Sequence, residues 1–219
     1  MPAKKARRSK KSSYAPGLFD AEAAYAQSIV SSALGDQSAS IEALERSLYF
    51  MPGYAPAILS MGSVEYQRGR RAKGKRLFLS LLALQWDTAD LCEIIDEAGD
   101  FLIQMENYAD GLELYREAAR AFPDVAVFHQ GIGYCADEEG LMDEALAASQ
   151  RAVELQPENA AYVSDLGWTL VRAERYPEAE EMFQRALGID PSNERAKANL
   201  DYCKKKMAKR PRQRDRSSF

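Results

Sequence analysis

The chain has 219 residues, 46% of them hydrophobic and 28% charged, with a formal net charge of −4. Nothing in it approaches the roughly 18 consecutive apolar residues that a membrane-spanning helix needs. The basic opening Met1–Lys11 has no apolar stretch behind it of the kind a secretory signal peptide uses, so a cytoplasmic protein with no membrane partner is expected.

The small net charge conceals a sharp division. Residues 1–20 carry six Lys/Arg against Asp20, and residues 194–219 carry ten Lys/Arg against Glu194, Asp201 and Asp215, which leaves the body between them at −16. An acidic body between basic ends points to electrostatic partners, or to ends that fold back on the body. Cys92, Cys135 and Cys203 are scattered, and His129 has no second histidine to share a metal. Reduced cysteines within helix packing are therefore expected, with no metal and no cofactor. No phosphate-binding, zinc-protease, nucleophile-elbow or dinucleotide motif occurs, and acidic pairs such as Glu138–Glu139 have ordinary surface explanations. The chain does not read as an enzyme.

Taken in chain order, residues 1–20 are expected as a basic, disordered tail. A 34-residue beat then organises the body. Gly99, Gly133 and Gly167 keep that spacing, as do Ala118, Ala152 and Ala186, and Pro123, Pro157 and Pro191. Glycine or alanine at a crossing point lets two helices approach closely. Proline cannot continue a helix and disfavours helical geometry in the residue before it, so the chain must turn at each recurrence. The beat predicts helix pairs at 92–125, 126–159 and 160–193, with turns at Glu139–Gly140 and Arg175–Pro177 inside the last two. Upstream, 55–88 keeps Ile58, Met61, Gly62, Phe78 and Leu81, but has Trp86 in place of proline. Ala89–Leu91 follows it as a three-residue insertion, where a change in pitch is expected. The pair 21–54 keeps Leu44 and Pro52 but carries Ser28, Ser31 and Ser40 at packing positions, as a degenerate end repeat. Ala196, Leu200 and Cys203 share one face of a predicted capping helix over 194–208, and 209–219 is expected as a second basic, disordered tail.

The segment 160–193 resembles the tetratricopeptide repeat, supplying Val163, Leu166, Gly167 and Leu170, then Ala179, Phe183, Ala186 and Pro191 at the family's packing positions. The resemblance implies an all-α fold, a right-handed superhelical solenoid of about five helical hairpins closed by a C-terminal capping helix. It also implies a concave groove lined by the first helix of each pair. The family's groove positions fall here on Glu93, Asp96, Glu97 and Asp100, on Gln130, Tyr134, Asp137 and Glu138, and on Ser164, Asp165, Trp168 and Arg172. Leu59, Ser63, Tyr66 and Gln67 precede them. Seven carboxylates and two aromatics on one surface suit a basic or amphipathic peptide, with Tyr134 and Trp168 as anchors.

Family members that clamp the acidic tail of heat-shock chaperones use basic and amide side chains at set groove positions. Here Asp96, Asp100, Gly131, Ala161 and Asp165 stand there, so a chaperone-tail clamp is not expected, although a co-chaperone-like adaptor role remains among the family's possibilities. A second candidate site is the segment 68–76, RGRRAKGKR, expected as a turn in which Arg68, Arg70, Arg71, Lys73, Lys75 and Arg76 meet an anion. With the basic tails it supports an alternative: nucleic-acid or ribosome association through phosphate neutralisation.

Overall fold

The computed structural model describes residues 17–209, which are helices and connecting turns with no strand among them. Five antiparallel pairs follow one another: α1 (Leu18–Ala33) with α2 (Gln37–Phe50), α3 (Ala55–Gln67) with α4 (Arg71–Ser80), α5 (Thr88–Gln104) with α6 (Tyr108–Ala121), α7 (Ala126–Glu138) with α8 (Met142–Leu155), and α9 (Ala160–Arg172) with α10 (Tyr176–Ile189). A last helix, α11 (Glu194–Lys209), packs on α10. α1 begins inside the stretch expected as tail, while the rest of both expected tails, 1–16 and 210–219, lies outside the described residues.

The crossing glycines act as the spacing predicts. A Cβ on Gly62, Gly99 or Gly167 would collide with the ring of Phe78, Tyr115 or Phe183, which packs against the helix in each case. Those three rings are at most 1% exposed, and burying a ring of that size stabilises by roughly 2–3 kcal/mol. Each of Pro52, Pro123, Pro157 and Pro191 stands two residues past the end of its helix. Tyr176 and Pro177, expected in a turn, instead open α10, because proline fits the first turn of a helix where no N–H partner is lost.

The serines of the first pair hold it together instead of weakening it. Ser40 Oγ donates to the Ser28 carbonyl at 2.9 Å and Ser47 Oγ donates to the Ala21 carbonyl at 2.8 Å, tying α2 to α1 by buried hydrogen bonds. The insertion at 89–91 becomes the first turn of α5, which Asp87 caps by accepting from the Ala89 N–H at 3.1 Å. The second and third pairs therefore join irregularly. α3 packs on α5, α4 on α6, and a single 3-10 turn at Leu81–Ala83 wedges against α5 and α6. Cys135 and Cys203 are fully buried in helix packing and Cys92 is partly buried.

Candidate peptide-binding groove

Because α3, α5, α7, α9 and α11 lie side by side, their outer faces form one surface with two hollows. The first is lined by α1, α3 and α5 and includes Tyr25, Ile29, Leu59, Ser63, Gln67, Glu97 and Phe101. The second, of about 450 Å³, gathers Asp100, Gln130, Tyr134, Asp137, Glu138, Asp165 and Trp168. Seven of the ten predicted groove residues thus meet in one cavity.

The other three separate from it. Glu97 faces the upstream hollow, and Glu93 is exposed but lines neither. Asp96 turns toward α6 and accepts from the Tyr115 hydroxyl at 3.0 Å. Burial pushes its carboxyl up to about 6 against the lowering effect of that bond, with Asp100 and Glu97 adding to the rise. Two further expectations are corrected. Ser164 is 0% exposed, a side chain short enough to stay below the helices around it, and Tyr66 is 6% exposed, stacked on Phe78 instead of facing the groove.

The cavity is less uniformly acidic than seven carboxylates suggest. Arg172 Nε lies 3.1 Å from Asp137 Oδ1, and Arg195 pairs with Asp165 Oδ1. Burial raises both carboxyls above the ordinary range, only partly opposed by Arg172 at Asp137 and by Arg195 and Gln130 at Asp165. Asp100 and Glu138 have no Lys or Arg nitrogen within 4.0 Å among the described residues. They are the uncompensated negative charge at the mouth, beside Tyr134 at 45% and Trp168 at 36% exposure.

Arg195 and Asn199 of α11 also line the cavity, and the sequence reading missed them. The signal was present: they stand 34 residues beyond Ala161 and Asp165, so α11 continues the groove's register as well as closing the core. Tyr202 extends the same row, its ring 5.9 Å from Trp168, with the Lys206 ammonium 5.2 Å above it.

One departure from the repeat lies in the lining of this cavity. The position that holds Phe78, Tyr115 and Phe183 in neighbouring pairs is Ser149 in α8, and its Oγ is the atom that a Cβ on Gly133 would meet, at 2.5 Å. Ser149 Oγ and Thr169 Oγ1 are 3.2 Å apart and both residues line the floor. Where the other pairs bury a ring, this one brings α8 close, with Ser149 N 3.4 Å and the Ala145 carbonyl oxygen 3.5 Å from the same Cβ position.

The segment 68–76 is a turn only at Arg68–Arg70, and Arg71 onward is the start of α4. Arg70 and Lys73 pair with buried Glu65 at 3.4 and 3.0 Å, Arg71 pairs with Asp110 at 2.5 Å, and Lys75 pairs with Asp110 at 3.3 Å and with Glu113. Four of the six cations are thus committed within the fold, leaving Arg68 and Arg76. Its glycines also serve packing: Gly69 takes a left-handed turn at φ 76° and Gly74 admits the Tyr66 ring.

A tetratricopeptide-repeat family model matches residues 97–160 and 143–194, less than half of the chain. Small glutamine-rich tetratricopeptide repeat-containing protein 2 of Mycosarcoma maydis is 27% identical over 116 residues, 53% of this chain and 33% of that protein. The Hsp70–Hsp90 organizing protein of Triticum aestivum is 25% identical over 107 residues, 49% of this chain and 18% of that protein. The chain therefore matches a third or less of the length of these curated relatives. Among solved structures, YrrB, described as a TPR protein with an unusual peptide-binding site, superposes with a TM-score of 0.57 at 21% identity, covering 83% of this chain and 92% of that one. MamA from Desulfovibrio magneticus RS-1 gives 0.56 at 20% identity, covering 80% and 97%. At those identities the likeness shows the fold alone. No helix among the described residues is long and apolar enough to cross a membrane.

Proposed function

We propose that this tetratricopeptide-repeat protein is a cytoplasmic adaptor that holds a basic or amphipathic peptide of another protein in its concave groove, with no catalytic step of its own. One observation carries the reading. Two exposed aromatics, Tyr134 and Trp168, stand beside the uncompensated carboxylates of Asp100 and Glu138 over a cavity of about 450 Å³. Aromatic faces attract cations and hold apolar stems, and an acidic rim adds steering and orientation. The Hsp70–Hsp90 organizing protein matches about half of this chain. The uncompensated carboxylates of Asp100 and Glu138 in the cavity, however, favour a basic guest over an acidic chaperone tail.

The test is a fluorescence-anisotropy titration of the full chain with a labelled decapeptide of alanine and leucine carrying two arginines. Trp168→Ala is expected to weaken binding by about tenfold or more, as buried aromatic anchors do, and Asp100→Asn with Glu138→Gln by a smaller factor. Binding untouched by all three would remove the groove as the site. The nucleic-acid alternative has less behind it, since only Arg68 and Arg76 of the basic segment lack a carboxylate within 4.0 Å among the described residues. It requires binding that falls steeply with salt and depends on those two arginines.

A further inference from the structure

We propose that the outer face of α1 is an interface on which a second copy of this chain docks antiparallel, about a two-fold axis at Ala26. It does not depend on the groove reading above. α1 buries Ala21, Ala24 and Ser28 toward the rest of the array. The opposite side of the same helix carries Phe19, Ala23, Ala26, Val30 and Ala33, all exposed, with Phe19 at 69% and Val30 at 58%. A helix that is apolar on both sides is one that is covered on both. The other end of the array is finished differently, since α11 turns Lys197, Asp201, Lys204 and Lys205 to solvent.

The layout of the face selects a second copy as its occupant. Ala26 stands seven residues from both Phe19 and Ala33, and midway between Ala23 and Val30 to within one residue. Across a two-fold axis at Ala26, each large side chain therefore meets a small one: Phe19 meets the second copy's Ala33, Val30 meets its Ala23, and the two Ala26 meet each other. Alanines at such a crossing let the helix axes approach closely.

The charges agree with this pairing. Glu22 and Asp20, on the flanks, come to lie about 12 and about 18 Å along the axis from their symmetry mates, farther than charges interact strongly at physiological salt. Gly17, where the six Lys/Arg of residues 1–16 join the helix, falls beside the second copy's Asp36 and the carbonyl end of its α1, whose last turn holds no basic residue of its own. A two-fold axis across the helices also keeps their flanks on the same side, so Tyr25 and Ile29 of the two upstream hollows adjoin and the two grooves open together. The face of α1 is about 24 Å long and 10 Å wide, less than the roughly 800 Å² a side of a standard stable interface. The expected dissociation constant is on the order of 10 µM.

Sedimentation of the full chain between about 1 and about 100 µM reads the association, and a monomer–dimer equilibrium is expected. Ala26→Glu and Ala26→Lys each set like charges face to face on the axis and should weaken it by at least about tenfold. Both substitutions place a good helix former at an exposed position, so circular dichroism should show unchanged helicity. An equimolar mixture of the two variants should restore the dimer, which only a pairing of Ala26 with Ala26 allows. A natural chain that stays monomeric throughout that range overturns the proposal and leaves the face to another protein or to residues of the same chain. A dimer that survives in both variants overturns it by placing the interface elsewhere. Variants that are monomeric apart and remain so when mixed overturn the two-fold arrangement.

Discussion

Arg71 Nε donates to Asp110 Oδ2 at 2.5 Å, joining α4 to α6 across 39 residues of sequence. The Tyr66 hydroxyl donates to the same oxygen at 2.8 Å, and Lys75 Nζ lies 3.3 Å from the other one. Three residues from the second pair thus converge on one buried carboxylate of the third, at the junction that the insertion makes irregular. Burial pushes the Asp110 carboxyl up, but the bonds from Arg71, Tyr66 and Lys75 outweigh it and hold the group below the ordinary carboxylate range.

Asp110→Ala should therefore destabilise the chain by about 2–3 kcal/mol in urea unfolding. That is less than the full cost of breaking a buried pair, because Arg71 is 55% exposed and can turn to water. It leaves the buried Tyr66 hydroxyl without its acceptor. With a folded-state pKa lowered, the contribution of Asp110 is present above the ordinary carboxylate range and is lost as pH falls through its folded-state value. The variant should also flatten the acid limb of the stability profile. A loss under about 0.5 kcal/mol would show the network to be incidental.

Asp96 works in the opposite direction. Its folded-state carboxyl is pushed up to about 6 by burial, against the Tyr115 hydrogen bond and with help from Asp100 and Glu97. Between the ordinary range near about 4 and about 6, the folded chain keeps a proton that the unfolded chain has released, so stability falls as pH rises through that window and levels off above it. Asp96→Asn keeps an acceptor for Tyr115 and removes the titration. The prediction is that denaturant midpoints of the natural chain decline from pH 4 to 6 more than those of the variant. Parallel profiles would refute it.

What was legible in the sequence is what every hairpin must repeat. A glycine where two helices cross closely, and a proline just past a helix end, recur because these pairs solve the same packing problem, so Gly99, Gly133, Gly167 and their prolines announced the fold. The groove was legible where side chains project from first helices, as at Tyr134 and Trp168. It failed where a residue's length or a tertiary partner decides direction. Ser164 is too short to reach the surface, Tyr66 is drawn inward by Phe78 and Asp110, and Asp96 by Tyr115. Ser149 was visible as the one small residue in a column with Phe78, Tyr115 and Phe183, yet its place in the cavity lining needed the helices in place. The ion pairs of the basic segment were not legible, because Glu65 and Asp110 lie five or more residues from the cations they bind.

The turn inside each pair offers a test that separates backbone conformation from packing. Gly35, Gly69, Glu106, Gly140 and Glu174 hold equivalent places between first and second helices, all with positive φ from 55° to 81°. The geometry is thus demanded by the repeat, glycine meets it without steric cost, and the two glutamates adopt it with strain. At Gly140 a Cβ would touch nothing within 4 Å, so Gly140→Ala changes only the conformational term and should cost about 1 kcal/mol. Gly188 has equally open surroundings, but it lies in the last turn of α10, where no positive φ is required. There Gly188→Ala should stabilise by about 0.5–1 kcal/mol, since alanine loses less chain entropy on entering a helix. Opposite signs in urea unfolding would confirm that the turn position is held by its dihedral angles. A Gly140→Ala chain as stable as the natural one would show that the turn can relax out of the left-handed region.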